Sequence, residues 1–463
     1  RTGTNAAYNV SLTGASNTIA SFSQATAFAT SGTLTIGDEA TDSFTYSGGA
    51  FGPTSPSAIT LAGSIITSST TAGAGSVTLG DANTTLAITT NLTINTSASN
   101  GNITIANTIA GGGKALTLDA GSGTISITSA LSNMGNLSFT ADEINWSASI
   151  DGTGTLTLKP TTTTNVINIG AATDAGSTTL DILSGEITLL GTNFTNITFG
   201  SPSQTGNISL QGNFIAPGTA SVTFDGPLLL NAARTITAST VTAKAINGSS
   251  SSLSVVGNAI FNGAITSTST LSVSGTTSLG ANITTTGTQA FTGAVTLTGT
   301  GATRTLTGST VTLSSTLAGG SNALVVTGNA SFGGAVTGLT SLSVSGTTAI
   351  NANITTTGTQ GYAGAVTLGA GVTLATTDSN ITFSSTLNSL TSSRALTITA
   401  GTGTVTFTGA LGGTLALGAT SITAASVVNS STLVGSSTYG VTGNATFSGA
   451  VSGITNLSVS GTT

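Results

Sequence analysis

The sequence predicts an all-β chain wound into a right-handed parallel β-helix, a β-solenoid of roughly 20 coils with about 20 to 25 residues each. Three observations predict it: short runs that alternate apolar and polar residues, a Gly or Asn break after nearly every run, and internal repetition on two length scales.

The alternation defines the strands. Ala115-Leu-Thr-Leu, Thr155-Leu-Thr-Leu and Ala395-Leu-Thr-Ile have the period of two expected of a strand. Thr and Val are poor helix fillers, and the recurring Gly would interrupt any helix they began. With two or three such strands per coil, neighbouring coils pair in parallel. Leu, Val, Ile and Phe then stack inward, and Ser and Thr hydroxyls face out.

Repetition supplies the winding. Ser341 to Leu368 matches Thr270 to Leu297 at most positions, about 71 residues earlier, and L-S-V-S-G-T-T returns at Leu457. Long repeats of this kind fill residues 257–463. Gly257-Asn258, Gly328-Asn329 and Gly443-Asn444 each open a run that carries an aromatic, namely Phe261, Phe332 and Phe447. Gly and Asn tolerate the left-handed backbone of a tight turn. Asn258, Asn329 and Asn444 are therefore expected at equivalent corners, with amide stacking, and the three Phe in the stacked core. Intervals between aromatics of about 20 to 25 residues read as single coils and those near 40 as double steps.

Composition agrees with a solenoid. Only 4% of the 463 residues are charged, the net charge is −6, and mean hydropathy is +0.38. A disordered chain would combine low hydropathy with high net charge. No shift in composition marks a boundary, so 1–463 reads as one continuous solenoid, with a loop bulge at 38–56. A thin apolar column suffices for such a fold.

The run from Leu180, L-D-I-L-S-G-E-I-T-L-L-G-T-N-F-T-N-I-T-F-G, resembles repeats of filamentous-haemagglutinin-like and autotransporter-type adhesins of bacterial surfaces. So does N-I-T-T-T-G-T-Q, with its following G-A-V-T-L, at Asn282 and Asn353. The resemblance implies a secreted β-helical fibre, extracellular or at the cell surface, with no catalytic signature.

Chemistry is scarce. The chain has no His and no Cys, which removes Ser–His triads, Cys–His dyads and thiolate or imidazole metal sites. A polysaccharide-active enzyme would have to use carboxylates, and the candidates are Asp142 with Glu143, and Asp174 with Asp181 and Glu186. Asp142 and Glu143 are adjacent and point to opposite faces of a strand. Asp119 with Asp142, or Asp151 with Asp174, are spaced to stack on successive coils. Structural turns account for all of them more simply, and no enzyme or cofactor is expected. Calcium is the one metal whose ligands the sequence offers, at Asp38, Glu39 and Asp42. Trp146 shares a strand face with Ile144 and is expected in the core. Seven Lys and Arg cannot make a stripe for phosphate contacts, so no nucleic acid is expected. No apolar run is long enough to insert into a membrane.

The expected function is an extracellular structural or adhesive fibre segment, a surface stalk or filament building block. Self-association end to end, or continuation in a longer chain, fits the recognisable repeat that runs to Thr463. Host or neighbouring-cell glycans or proteins are the expected adhesive partners. The alternative is a sheath or surface-layer subunit stacking head to tail. Charge favours that polarity: residues 1–225 carry −9 and 226–463 carry +3.

Overall fold

A computed structural model describes residues 7–20, 28, 30–69, 71, 73–81, 83–176, 178–435 and 437–463. The chain divides into two compact units, Arg1–Lys244 and Ala245–Thr463. Each is a parallel β-solenoid, together about 22 turns. Ser184–Ile187 is the one helix among the described residues.

The second unit shows how a coil is built. Strands Ile283–Thr285, Gln289–Phe291 and Val295–Leu297 begin six residues apart and form three sides. Each pairs in parallel with a strand of the coil before it: Ile265 opposes Ile283, Leu271 opposes Gln289, and Thr277 opposes Val295. The shortest coil is therefore 18 residues in three equal sides, the separation that Asn258 and Thr276 bridge at a corner. The longest coils of this unit, where Val372 opposes Leu396 and Ile381 opposes Val405, have 24. The lower end lies below the roughly 20 to 25 expected from aromatic spacing, because aromatics sit on different sides. Phe261 to Phe291 and Phe332 to Tyr362 each span five sides, which is not a whole number of coils. Phe407 to Phe447 is a true double step through Asn429.

From Leu271 to Leu342 the long repeat spans eleven sides, one fewer than four whole coils, and its three copies land on three different sides. Leu271 stacks in the column of Gln289, Val311 and Ala330. Leu342 lies between Leu324 and Gln360, and Leu457 continues the column of Leu396, Thr420 and Tyr439. One motif can serve three sides because all sides have the same geometry: two inward positions, one outward position between them, and a corner.

Asn258, Asn329 and Asn444 sit at chemically equivalent corners, again on three different sides. Their Oδ1 atoms accept the backbone N–H of Thr276, Thr347 and Thr462 at 2.9, 2.9 and 3.0 Å, one coil on. Asn282, Asn353 and Asn380 do the same for Thr305, Thr373 and Thr404. The corner device is thus an amide-to-backbone bond where amide stacking was expected. It fills the donor that a corner leaves out of the ladder. Asn329→Ala is expected to lower stability by about 1 kcal/mol in a urea titration. Asn329→Asp, which keeps an acceptor, should lose clearly less; equal losses would show that the oxygen is not what matters.

Phe261 and Phe332 are buried, while Phe447 is partly exposed, and the three occupy separate columns. The continuous aromatic stack is instead Tyr362–Phe383–Phe407, with ring centroids 5.1 Å apart at both steps and planes within 14°. In-register parallel pairing forces this offset face-to-face arrangement.

The first unit follows the same plan. Between residues 38 and 56, expected to bulge, Ser43–Tyr46 is a ladder strand between Ser16–Ile19 and the end of Ala58–Thr67. Phe44 and Tyr46 alternate inward and pack with buried Phe51. On either side of that strand the chain runs through turns and bends outside the ladder, where Phe51 alone bridges Val77.

Candidate functional site

One coil of the first unit departs from the plan. Leu137 opposes Leu156, a coil of 19 residues like the one that Asn136 and Thr155 bridge at the adjoining corner. Leu156, by contrast, meets its next partner only at Ile197, more than twice as far along the chain. The enlarged coil contains an excursion. Strand Val166–Ala171 is followed by the turn-forming A-T-D-A-G, and then by a second alternating strand, Thr179–Leu183. This strand pairs in parallel with Val166–Ala171 and packs beside Leu137–Trp146. Helix Ser184–Ile187 then returns the chain to the ladder, where Leu190 bridges Ile150.

Glu186 stabilises that return. One of its carboxylate oxygens accepts the Leu183 amide at 2.8 Å, the reach-back of a third-position glutamate to its helix start. The other accepts the Trp146 amide at 2.9 Å, while the indole Nε1 of Trp146 donates to the Glu186 carbonyl at 2.8 Å. Trp146 and Ile144 continue the inward columns of Ile127 and Ile125, so Trp146 is a core residue. Trp146 also lines a recess of about 600 Å3, together with Ile127, Leu183, Leu189, Ser126 and Asn145.

Alternation turns Glu143 outward, opposite Ile144, where the excursion covers it. It is 5% exposed, and neither carboxyl oxygen has a hydrogen-bond partner among the described residues. Burial first, and then the negative charges of Asp174, Asp181 and Glu186, push its carboxyl up to about 7. Glu186 is also raised by burial, against the pull of its two amide donors.

The structure thus gathers Glu143, Asp174, Asp181 and Glu186 and leaves Asp142 out. Asp142 accepts the Thr162 amide and hydroxyl at 2.9 and 2.7 Å at a corner. Asp181 is held by the Asn168 amide, the Ala175 N–H and the Thr179 hydroxyl. Asp119 opposes Thr140, so it does not stack on Asp142. Asp151 binds the Asn193 amide, away from Asp174 in the excursion. Asp42 closes its own turn by accepting the amides of Asp38 and Glu39, which hold its carboxyl below the usual range. Among the described residues, no three His, Cys, Asp or Glu side chains are arranged to hold a metal ion.

Sequence reasoning missed the excursion and the burial of Glu143. The available signal was the turn-rich A-A-T-D-A-G-S-T between two alternating runs, followed by a glutamate three residues after Leu183. Among the described residues, no helix is long and apolar enough to cross a membrane. No family model, curated protein or solved structure matches the chain.

Proposed function

We propose that the chain is a structural segment of an extracellular surface fibre, a stalk whose work is mechanical. The observation that carries this reading is where the polar side chains are spent. Asn corners in both units bond the backbone one coil on, from Asn91 and Asn102 to Asn380 and Asn444. Two inward glutamines are likewise used internally: Gln289 and Gln360 donate to the carbonyls of Thr307 and Ala375, both at 2.8 Å. Such bonds tie each coil to the next along the solenoid axis, as a segment under tension requires, and leave few side chains for chemistry.

Single-molecule stretching from the two ends tests the proposal. A stalk should resist until high force and then lengthen in steps of one or a few coils, since repeat solenoids unfold through nearest-neighbour interfaces. Smooth extension at low force would contradict a mechanical role. Release of reducing ends from a polysaccharide panel, lost in Glu143→Gln, would replace it with the enzyme reading.

A further inference from the structure

We propose that strand Thr179–Leu183 and the helix Ser184–Ile187 form a proton-controlled flap: it closes over Glu143 while that carboxyl is protonated and loosens when it ionises. This goes beyond the structural role and does not depend on it.

The geometry gives an ionised Glu143 little compensation. It is 5% exposed, neither oxygen has a hydrogen-bond partner of normal geometry among the described residues, and only the Ile144 backbone N–H pulls its carboxyl down. A buried charge needs a partner, and a protonated carboxyl needs far less. The groups facing it are all acidic. The inserted strand brings Asp181, the turn before it Asp174, and the helix Glu186. Its own strand offers Asp142, turned to Thr162. The flanking strands Leu116–Ile127 and Thr155–Lys159 carry Asp119 and Lys159, but both oppose Thr140 and line a different recess. Strand Val166–Ala171 has no ionisable side chain.

The excursion is also the part that covers Glu143. It is an addition to a coil whose other sides pair normally, and its return is tied to the ladder through the Trp146–Glu186 bonds. The sign follows from the raised pKa. The closed form holds its proton up to about pH 7, whereas an open, solvated Glu143 releases it near 4.5. The closing equilibrium therefore weakens as the pH climbs through that window, by up to about 300-fold, and is level above it.

The chain's single tryptophan reports the state directly. Opening frees the Trp146 indole N–H and wets the ring, so emission of the intact chain should shift to the red between about pH 5 and pH 7.5. Glu143→Gln, neutral at every pH, should hold the closed-state emission throughout. Amide exchange in the wild type gives a second readout that needs no variant. After correction for intrinsic rates, protection over 179–187 should fall across the same window while that of strand Leu116–Ile127 does not. A flat wild-type emission, an unchanged titration in Glu143→Gln, or equal loss of protection in both segments would each overturn the flap.

Discussion

Gly328→Val is expected to lower the stability of the second unit by about 4 kcal/mol, or roughly 8 to 16 °C in Tm for a unit of this size. Two independent penalties add. Gly328 has a φ of +127°, which a β-branched residue adopts only under strain. A methyl in place of its hydrogen would also meet the Gly308 carbonyl oxygen inside van der Waals contact. The neighbour cannot give way, because that oxygen belongs to the backbone of the coil before. The amide of Gly328 meanwhile donates to the Ser345 hydroxyl at 2.9 Å, so shifting the corner breaks a bond to the next coil too. Gly443 repeats the arrangement, with a φ of +133° and the Ala424 carbonyl in the same place. Gly361→Ala is the control: it has an ordinary φ and open space around the missing Cβ, and should change stability by no more than about 0.5 kcal/mol. Thermal and urea unfolding followed by circular dichroism measure both variants against the parent. A Gly328→Val loss within about 1 kcal/mol of the control would mean that the corner relaxes freely.

Gly328 also shows what local sequence can reveal. Gly-Asn at a run's start signals a corner through two intrinsic properties: freedom at positive φ and an amide that bonds backbone. Both were legible without a structure. Strand alternation was legible for the same reason, and it placed Trp146 inward; Asp142 and Glu143 are parted not by alternation but by a corner, since Ala141 before them and Ile144 after them both face inward. The six-residue side was equally local but was obscured. L-S-V-S-G-T, T-S-L-G-A-N and I-T-T-T-G-T follow one another from Leu271 with Gly or Ala at or next to the fifth position. The eye catches aromatics first, and those fall on whichever side has room for a ring. I-T-T-T-G-T-Q was informative only as a resemblance until Thr285 and Gln289 were seen facing inward around one corner, 3.3 Å apart. The excursion could not be found this way. Thr179–Leu183 has the composition of any other strand, and its insertion beside Leu137–Trp146 is a long-range choice. The burial of Glu143 follows from that choice, since nothing in A-D-E-I-N-W distinguishes a covered outward carboxyl from a solvated one.

Interchangeable sides lead to a second result of comparable size. Removing Thr277–Ala294, one whole coil, should leave the second unit folded with a Tm within a few degrees of the parent. Val295 would then stack on Ala259 where Thr277 did, and every later pairing would be unchanged. Removing only Thr277–Asn282, a single six-residue side, should also be tolerated, though all later strands would move round by one side. Pairings downstream of the joint keep their partners, because each strand's neighbour travels with it; the long repeat has made the same move between Leu271, Leu342 and Leu457. Removing nine residues, Thr277–Thr285, is different. An odd shift reverses inward and outward positions at the joint, and a half-side shift puts Gly287 where a strand should be. Leu279 and Ile283, both fully or nearly fully buried, are lost without replacement. Each such side chain is worth about 1.5 to 3 kcal/mol, so with the broken corner the cost reaches roughly 5 kcal/mol, or about 10 to 20 °C. Calorimetry of the three deletions in the full chain decides the matter. If the nine-residue deletion melts with the six-residue one, the side is not the unit from which this solenoid is assembled.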